Sequence, residues 1–213
     1  MTKRKPAHRA MTGIAGLLAG LLAGEGGAAA TEIPDFANRI VSAASGDIDN
    51  DGKVDLVLLL TPDEAAGEVD HGLLVMMGSG KDRGQISPKA YYPDMVWGGL
   101  PGSMAGNRPS VSIAANGTIR LVSHNDAVGR SRWNQTLTLA RRGKKLMLAG
   151  FSYGSYDTLI PDGRSRKCEV NLLTGKGERE IDGEEEQFSL SLGELTIRDW
   201  ARYREAGFCG FPE

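Results

Sequence analysis

The segment Ser45-Gly46-Asp47-Ile48-Asp49-Asn50-Asp51-Gly52-Lys53-Val54-Asp55-Leu56-Val57-Leu58-Leu59-Leu60 governs how the rest of the chain is read. Its second half is apolar on both faces, the pattern of a strand buried inside a sheet. Its first half places aspartates at relative positions 1, 3, 5 and 9 and a glycine at position 6. At that spacing a tight loop can gather the side-chain oxygens of Asp47, Asp49, Asp51 and Asp55, with the Lys53 carbonyl, around one Ca²⁺. Gly52 permits the sharp reversal. Without a cation, four neighbouring carboxylates repel one another. An EF-hand would carry a bidentate acid at position 12, which here is Leu58, and would be flanked by helices. The loop therefore reads as a β-type calcium loop. Two plainer readings stand beside it: a solvated acidic turn, and an ion that pins the strand and does nothing more.

Downstream of this strand, read over 54–61, the pattern stays extended. Gly72–Gly78 is a second apolar strand. Ser110–Ala114 and Thr118–Ser123 alternate polar and apolar residues around Asn116-Gly117, a hairpin signal. Trp133–Leu139 and Lys145–Tyr153 flank a basic turn at 141–144, and Cys168–Leu173 and Glu186–Ser191 complete the set. The segment 31–44 gives only a weak helical or extended lead-in. The segment 79–108, rich in Gly, Pro and charge, reads as a long loop carrying Tyr91, Tyr92 and Trp97 as candidate contact aromatics. Ile197–Glu205 has helical spacing, with Asp199 in its first turn and Gly207 to end it. The expectation is a mainly β fold: an antiparallel meander of short strands with one calcium loop and a short C-terminal helix.

The N-terminus carries Lys3, Arg4, Lys5 and Arg9, then an apolar run over 10–24, then Ala28-Ala29-Ala30. This is the order of a secretory signal peptide, expected to be cleaved after Ala30; an uncleaved anchor is the alternative. The domains are then a signal peptide, 1–30, and one β-rich domain, 31–213. The expected location is periplasmic or secreted, with no membrane span after cleavage. Loss of the leader removes those four basic residues and Glu25, carrying the formal charge from −2 to −5. A mildly acidic chain argues against nucleic acid or an anionic membrane as partner. Cys168 and Cys209, the only cysteines, read as one disulfide in an oxidising compartment, with two buried thiols as the alternative. The tail it holds shows few other anchors in sequence.

The stretch Gly46–Val57 resembles the calcium half of an FG-GAP (VCBS-type) repeat, as found in integrin α-like β-propellers. The resemblance implies that Asp47, Asp49, Asp51 and Asp55 ligate calcium between paired strands. It covers about residues 44–60; the Phe-Gly and Gly-Ala-Pro halves and a second copy of the loop are missing, so it implies the metal loop and not the propeller. Asn171–Lys176 is also similar to a segment of small secreted bacterial proteins that begin with such a loop.

Gly150-Phe151-Ser152-Tyr153-Gly154 matches the G-x-S-x-G pattern of hydrolase elbows, but no helix follows Ser152 and no histidine lies beyond His124. His71 and His124 lack metal-ligand spacing and read as loop histidines. The Asp182–Glu186 run reads as a solvated turn. The functional expectation is an exported, calcium-stabilised, non-catalytic binding or structural protein, with a possible protein partner in the cell envelope. The alternatives are a secreted hydrolase with its site in the Gly/Pro-rich loops, or a periplasmic inhibitor or immunity-type protein.

Overall fold

The computed structural model describes residues 35–79, 84–99, 107–160, 165–203 and 207–211, all within the compact unit Pro34–Glu213. The signal peptide and its cleavage site lie outside the described residues. Eleven strands run in chain order: β1 (Ile40–Gly46), β2 (Asp55–Leu60), β3 (His71–Gly78), β4 (Ile86–Val96), β5 (Ser110–Ile113), β6 (Ile119–Asn125), β7 (Ser131–Arg142), β8 (Lys145–Asp157), β9 (Arg166–Asn171), β10 (Lys176–Ile181) and β11 (Glu184–Ser189). They form two antiparallel meanders, one of order β1-β2-β3-β4 and one of order β11-β10-β9-β8-β7-β6-β5. The mainly antiparallel β fold is thus as expected.

Period-two alternation makes the core. Val57, Leu59, Leu73 and Val75 of the four-stranded sheet share one cluster with Val111, Ile119, Leu121, Leu137, Leu139, Leu148 and Phe151 of the seven-stranded sheet. Leu58, Leu60 and Leu74 point to the opposite face, where Phe36 packs on them. Burial on both faces explains the unbroken leucine run of β2. The sheets also meet along β1 and β5: the Val111 N–H donates to Ser42 Oγ at 3.1 Å, and Arg108 Nη2 donates to the Val41 carbonyl at 2.6 Å.

Several local readings are corrected. The long loop expected over 79–108 contains β4, an eleven-residue strand. Pro88 and Pro93 hid it; both are tolerated because β4 is an edge strand. The lead-in before Gly46 is strand β1. The turn before β11 is only Asp182-Gly183, both with positive φ, and the following glutamates are residues of β11, an edge strand of the seven-stranded sheet. There, charge discourages pairing with other chains. Strands β7 and β8, at 12 and 13 residues, are not short.

The C-terminal helix is a single 3-10 turn, Ile197–Arg202. Asp199 Oδ2 accepts from both the Thr196 N–H and hydroxyl. Cys168 and Cys209 are disulfide-bonded, with Cα atoms 5.9 Å apart. The tail is better held than its sequence suggested. Trp200, Phe208 and Cys209 are buried, the Trp200 indole N–H donates to the Met95 carbonyl at 2.6 Å, and Arg179 Nη1 donates to the Gly210 carbonyl at 2.6 Å.

Candidate metal centre

The acidic loop joins β1 to β2 across their open end, where Gly46 and Asp55 are register partners. Asn50 and Gly52 adopt left-handed backbone (φ 58° and 81°), which coils the chain tightly enough to bring alternate side chains inward. Asp47 caps the coil: Oδ1 accepts from the Asp51 N–H at 3.1 Å and Oδ2 from the Gly52 N–H at 2.8 Å. Asp55 is 1% exposed and just as fixed, with Oδ2 accepting from the Ile48 N–H and Oδ1 from the Gly78 N–H, both at 2.8 Å. Each ionised carboxylate oxygen keeps a second lone pair, so these bonds hold the ligand without consuming it.

Asp47, Asp49 and Asp55 bring one oxygen each within 4.8 Å of one another. Asp49 Oδ1 is buried and has no hydrogen-bond partner, while Oδ2 lies 3.4 Å from Arg141 Nη2. A buried carboxylate oxygen without a donor is costly unless something positive fills the place. Three hard oxygen donors and one orphaned oxygen fit a hard cation of the calcium or magnesium class.

Asp51 adjoins Asp49 but is not one of the three clustered carboxylates. Its Oδ1 accepts the Lys53 N–H at 2.9 Å and its Oδ2 pairs with Lys53 Nζ at 2.6 Å. The Lys53 contacts hold the Asp51 carboxyl below its usual range, and Asp51 raises Lys53 in turn. The Lys53 ammonium neutralises the Asp51 carboxylate, which weakens its pull on any ion.

Two contributors to the site were not legible. Arg141 belongs by sequence to a basic turn, yet it crosses from β7 to the loop. Gly117 of the β5–β6 hairpin lies against the loop backbone: a Cβ there would come 2.7 Å from the Asp47 carbonyl oxygen and 3.0 Å from that of Ile48.

The other sequence candidates scatter. Ser152 sits in mid-strand on β8, with no turn or helix behind it, and faces an outer hollow of about 760 Å³ shared with Glu169, Glu178 and Gln187. Glu169 and Glu178 are register partners there, a carboxylate pairing that the sequence did not reveal. His71 is no loop residue: it opens β3 in register with Leu73 and Val75 and is buried in the core. His124 is in β6, 3.7 Å from Asp126. The three aromatics of 79–108 are engaged within the fold. Tyr92 packs on the core, and Trp97 meets Trp133 in a tilted pair, ring centroids 5.2 Å apart at 57°. The Tyr91 hydroxyl donates to Glu68 and accepts from Arg39; burial, then Glu68, pushes it up to about 12.

Among the described residues, no helix is long and apolar enough to cross a membrane. In comparisons with known proteins, the chain matches no family model, no curated protein and no solved structure.

Proposed function

We propose that this is an exported, non-catalytic binding or structural protein whose acidic loop holds one Ca²⁺, in the manner of a single FG-GAP-type calcium loop. The observation that carries the reading is the triad Asp47, Asp49 and Asp55 with its orphaned Asp49 Oδ1. The ion's role is structural. It would neutralise the loop where β1 and β2 end and where Gly117 of the other sheet rests on the loop backbone. The Cys168–Cys209 disulfide ties the tail to β9 of the seven-stranded sheet, and the Trp200 indole carries that tail on to Met95 of β4.

Support for export comes from the leader pattern and from the disulfide, which belongs to oxidising compartments. The test is calorimetric titration of the chain from Thr31 onward with CaCl₂, paired with melting in calcium and in chelator. Affinity in the range of extracellular modules, a Kd of about 10⁻⁴–10⁻³ M, is expected. Calcium at 100 times Kd should add about 2.7 kcal/mol. An Asp47→Asn, Asp49→Asn double variant should lose both responses. If it keeps them, the ion sits elsewhere.

A further inference from the structure

Arg141 brings a charge from the seven-stranded sheet to the acidic loop. It is the penultimate residue of β7. Its Nε donates to the Gly143 carbonyl at 2.9 Å, its Nη1 lies 3.6 Å from Met77 Sδ on β3, and its Nη2 lies 3.4 Å from Asp49 Oδ2. Only 23% of the side chain is exposed. The guanidinium is therefore held between the sheets by its own hairpin turn and by β3. Its charge is screened less than that of a surface arginine. Among the described residues, Arg141 is the one cationic side chain within ion-pair distance of Asp47, Asp49 or Asp55. Lys53 is occupied by Asp51.

Asp49 is divided between two claims: Oδ2 faces Arg141, and Oδ1 is buried without a partner. The three carboxylates carry three formal negative charges, and Arg141 cancels one of them. The remainder matches one divalent ion. We propose that Arg141 is a built-in rival of the metal for Asp49, and that its fixed charge tunes the loop toward a divalent ion held weakly and exchangeably. This rests on the metal reading of the loop. Two consequences follow from Coulomb's law. Arg141 steadies the metal-free loop, because it relieves carboxylate repulsion. It also repels any bound ion in proportion to that ion's charge, so it penalises a trivalent ion more than a divalent one.

Arg141→Gln in the chain from Thr31 onward, titrated separately with Ca²⁺ and with Tb³⁺, tests the idea. Ca²⁺ affinity should rise on the order of threefold to tenfold, and Tb³⁺ affinity by about the 3/2 power of that factor. Melting temperature in chelator should fall. Arg141→Lys, which keeps the charge, should keep the wild-type ratio of the two affinities. If Arg141→Gln does not fold, Arg141→Leu, which retains bulk against Met77, takes its place with the same expectation. Affinities that stay unchanged, or that fall by one common factor for both ions, would mean that Arg141 only supports the fold, and the rivalry is then overturned with the metal site intact. If neither wild type nor variant binds either ion, the metal reading falls and the rivalry with it.

Discussion

Asp55 Oδ1 accepts the Gly78 N–H at 2.8 Å, joining the first residue of β2 to the last residue of β3 through a buried carboxylate. The other oxygen of Asp55 takes the Ile48 N–H. This residue is therefore structural whether or not an ion is bound. Asp55→Asn replaces one acceptor by a donor facing a backbone N–H. It should cost about 2–4 kcal/mol in urea unfolding, with chelator present as well as without it. Asp49→Asn should differ: in chelator it removes repulsion within the triad at the expense of one Arg141 contact, and should change stability by less than about 1 kcal/mol. Equal losses from the two variants in chelator would contradict this division of labour.

Gly117 offers a test of how closely the two sheets are fitted at the loop. Its φ is 78°, and the nearest atoms to a Cβ there are backbone carbonyl oxygens of Asp47 and Ile48, which cannot swing aside. Gly117→Ala should cost about 1–3 kcal/mol, from left-handed strain together with the steric push on the loop. It should also weaken calcium binding, since the carbonyls that must yield belong to the ligand loop. Gly183 in the β10–β11 turn also has positive φ, 89°, but nothing lies within 4 Å of its Cβ position, so Gly183→Ala is the control for strain alone. Loss of calcium affinity in both variants would dismiss the packing argument.

The strands that announced themselves in sequence were those with one simple environment. β2 reads as apolar on both faces because both faces are covered, and β5–β6 reads through its Asn116-Gly117 turn. β4 was illegible because edge position, not composition, makes Pro88 and Pro93 acceptable, and edge position is a property of the assembled sheet. β10, Lys-Gly-Glu-Arg-Glu-Ile, was hidden by its charge, which is met only in the folded chain: Arg179 pairs with Glu186 and donates to the Gly210 carbonyl of the tail. The candidate site divides in the same way. Its aspartates sit at fixed local spacing and could be read, although only Asp47, Asp49 and Asp55 come together. Arg141, Gly117 and Gly78 come from three other elements, and no local pattern marks them.

His71 gives a pH dependence with a definite sign. Both ring nitrogens are buried without hydrogen-bond partners, and burial lowers the pKa, only partly offset by the nearby Val96 backbone. The neutral ring is therefore favoured in the folded state. Above about pH 7 the ring is neutral in both states and contributes no pH dependence. As pH falls below the unfolded value of about 6.5, only the unfolded chain takes up the proton, and stability falls by up to about 1.4 kcal/mol per unit until the lower folded pKa is reached. Urea unfolding in chelator between pH 7 and 5 should show this slope. His71→Leu should flatten it, and a slope that persists in the variant would place its origin elsewhere.

The disulfide and the tail it ties can be separated experimentally. Closing a loop with a sequence separation of 41 is worth about 4 kcal/mol in the chain-entropy description, an upper figure. Cys168→Ser with Cys209→Ser should lower global stability by about 2–4 kcal/mol. It should not release the tail first. Trp200 is buried against Phe151 and Phe208, its indole is bonded to the Met95 carbonyl, and Tyr203 stacks on Phe208 at 4.3 Å. These contacts are independent of the sulfur atoms and bridge both sheets. Hydrogen exchange in the double variant should therefore show the Ile197–Arg202 turn opening only with the whole domain, and Trp200→Ala should free the tail while the disulfide remains. If removing the cysteines opens that turn well below the global transition, the aromatic anchor is weaker than its burial indicates and the disulfide is what holds the C-terminus in place.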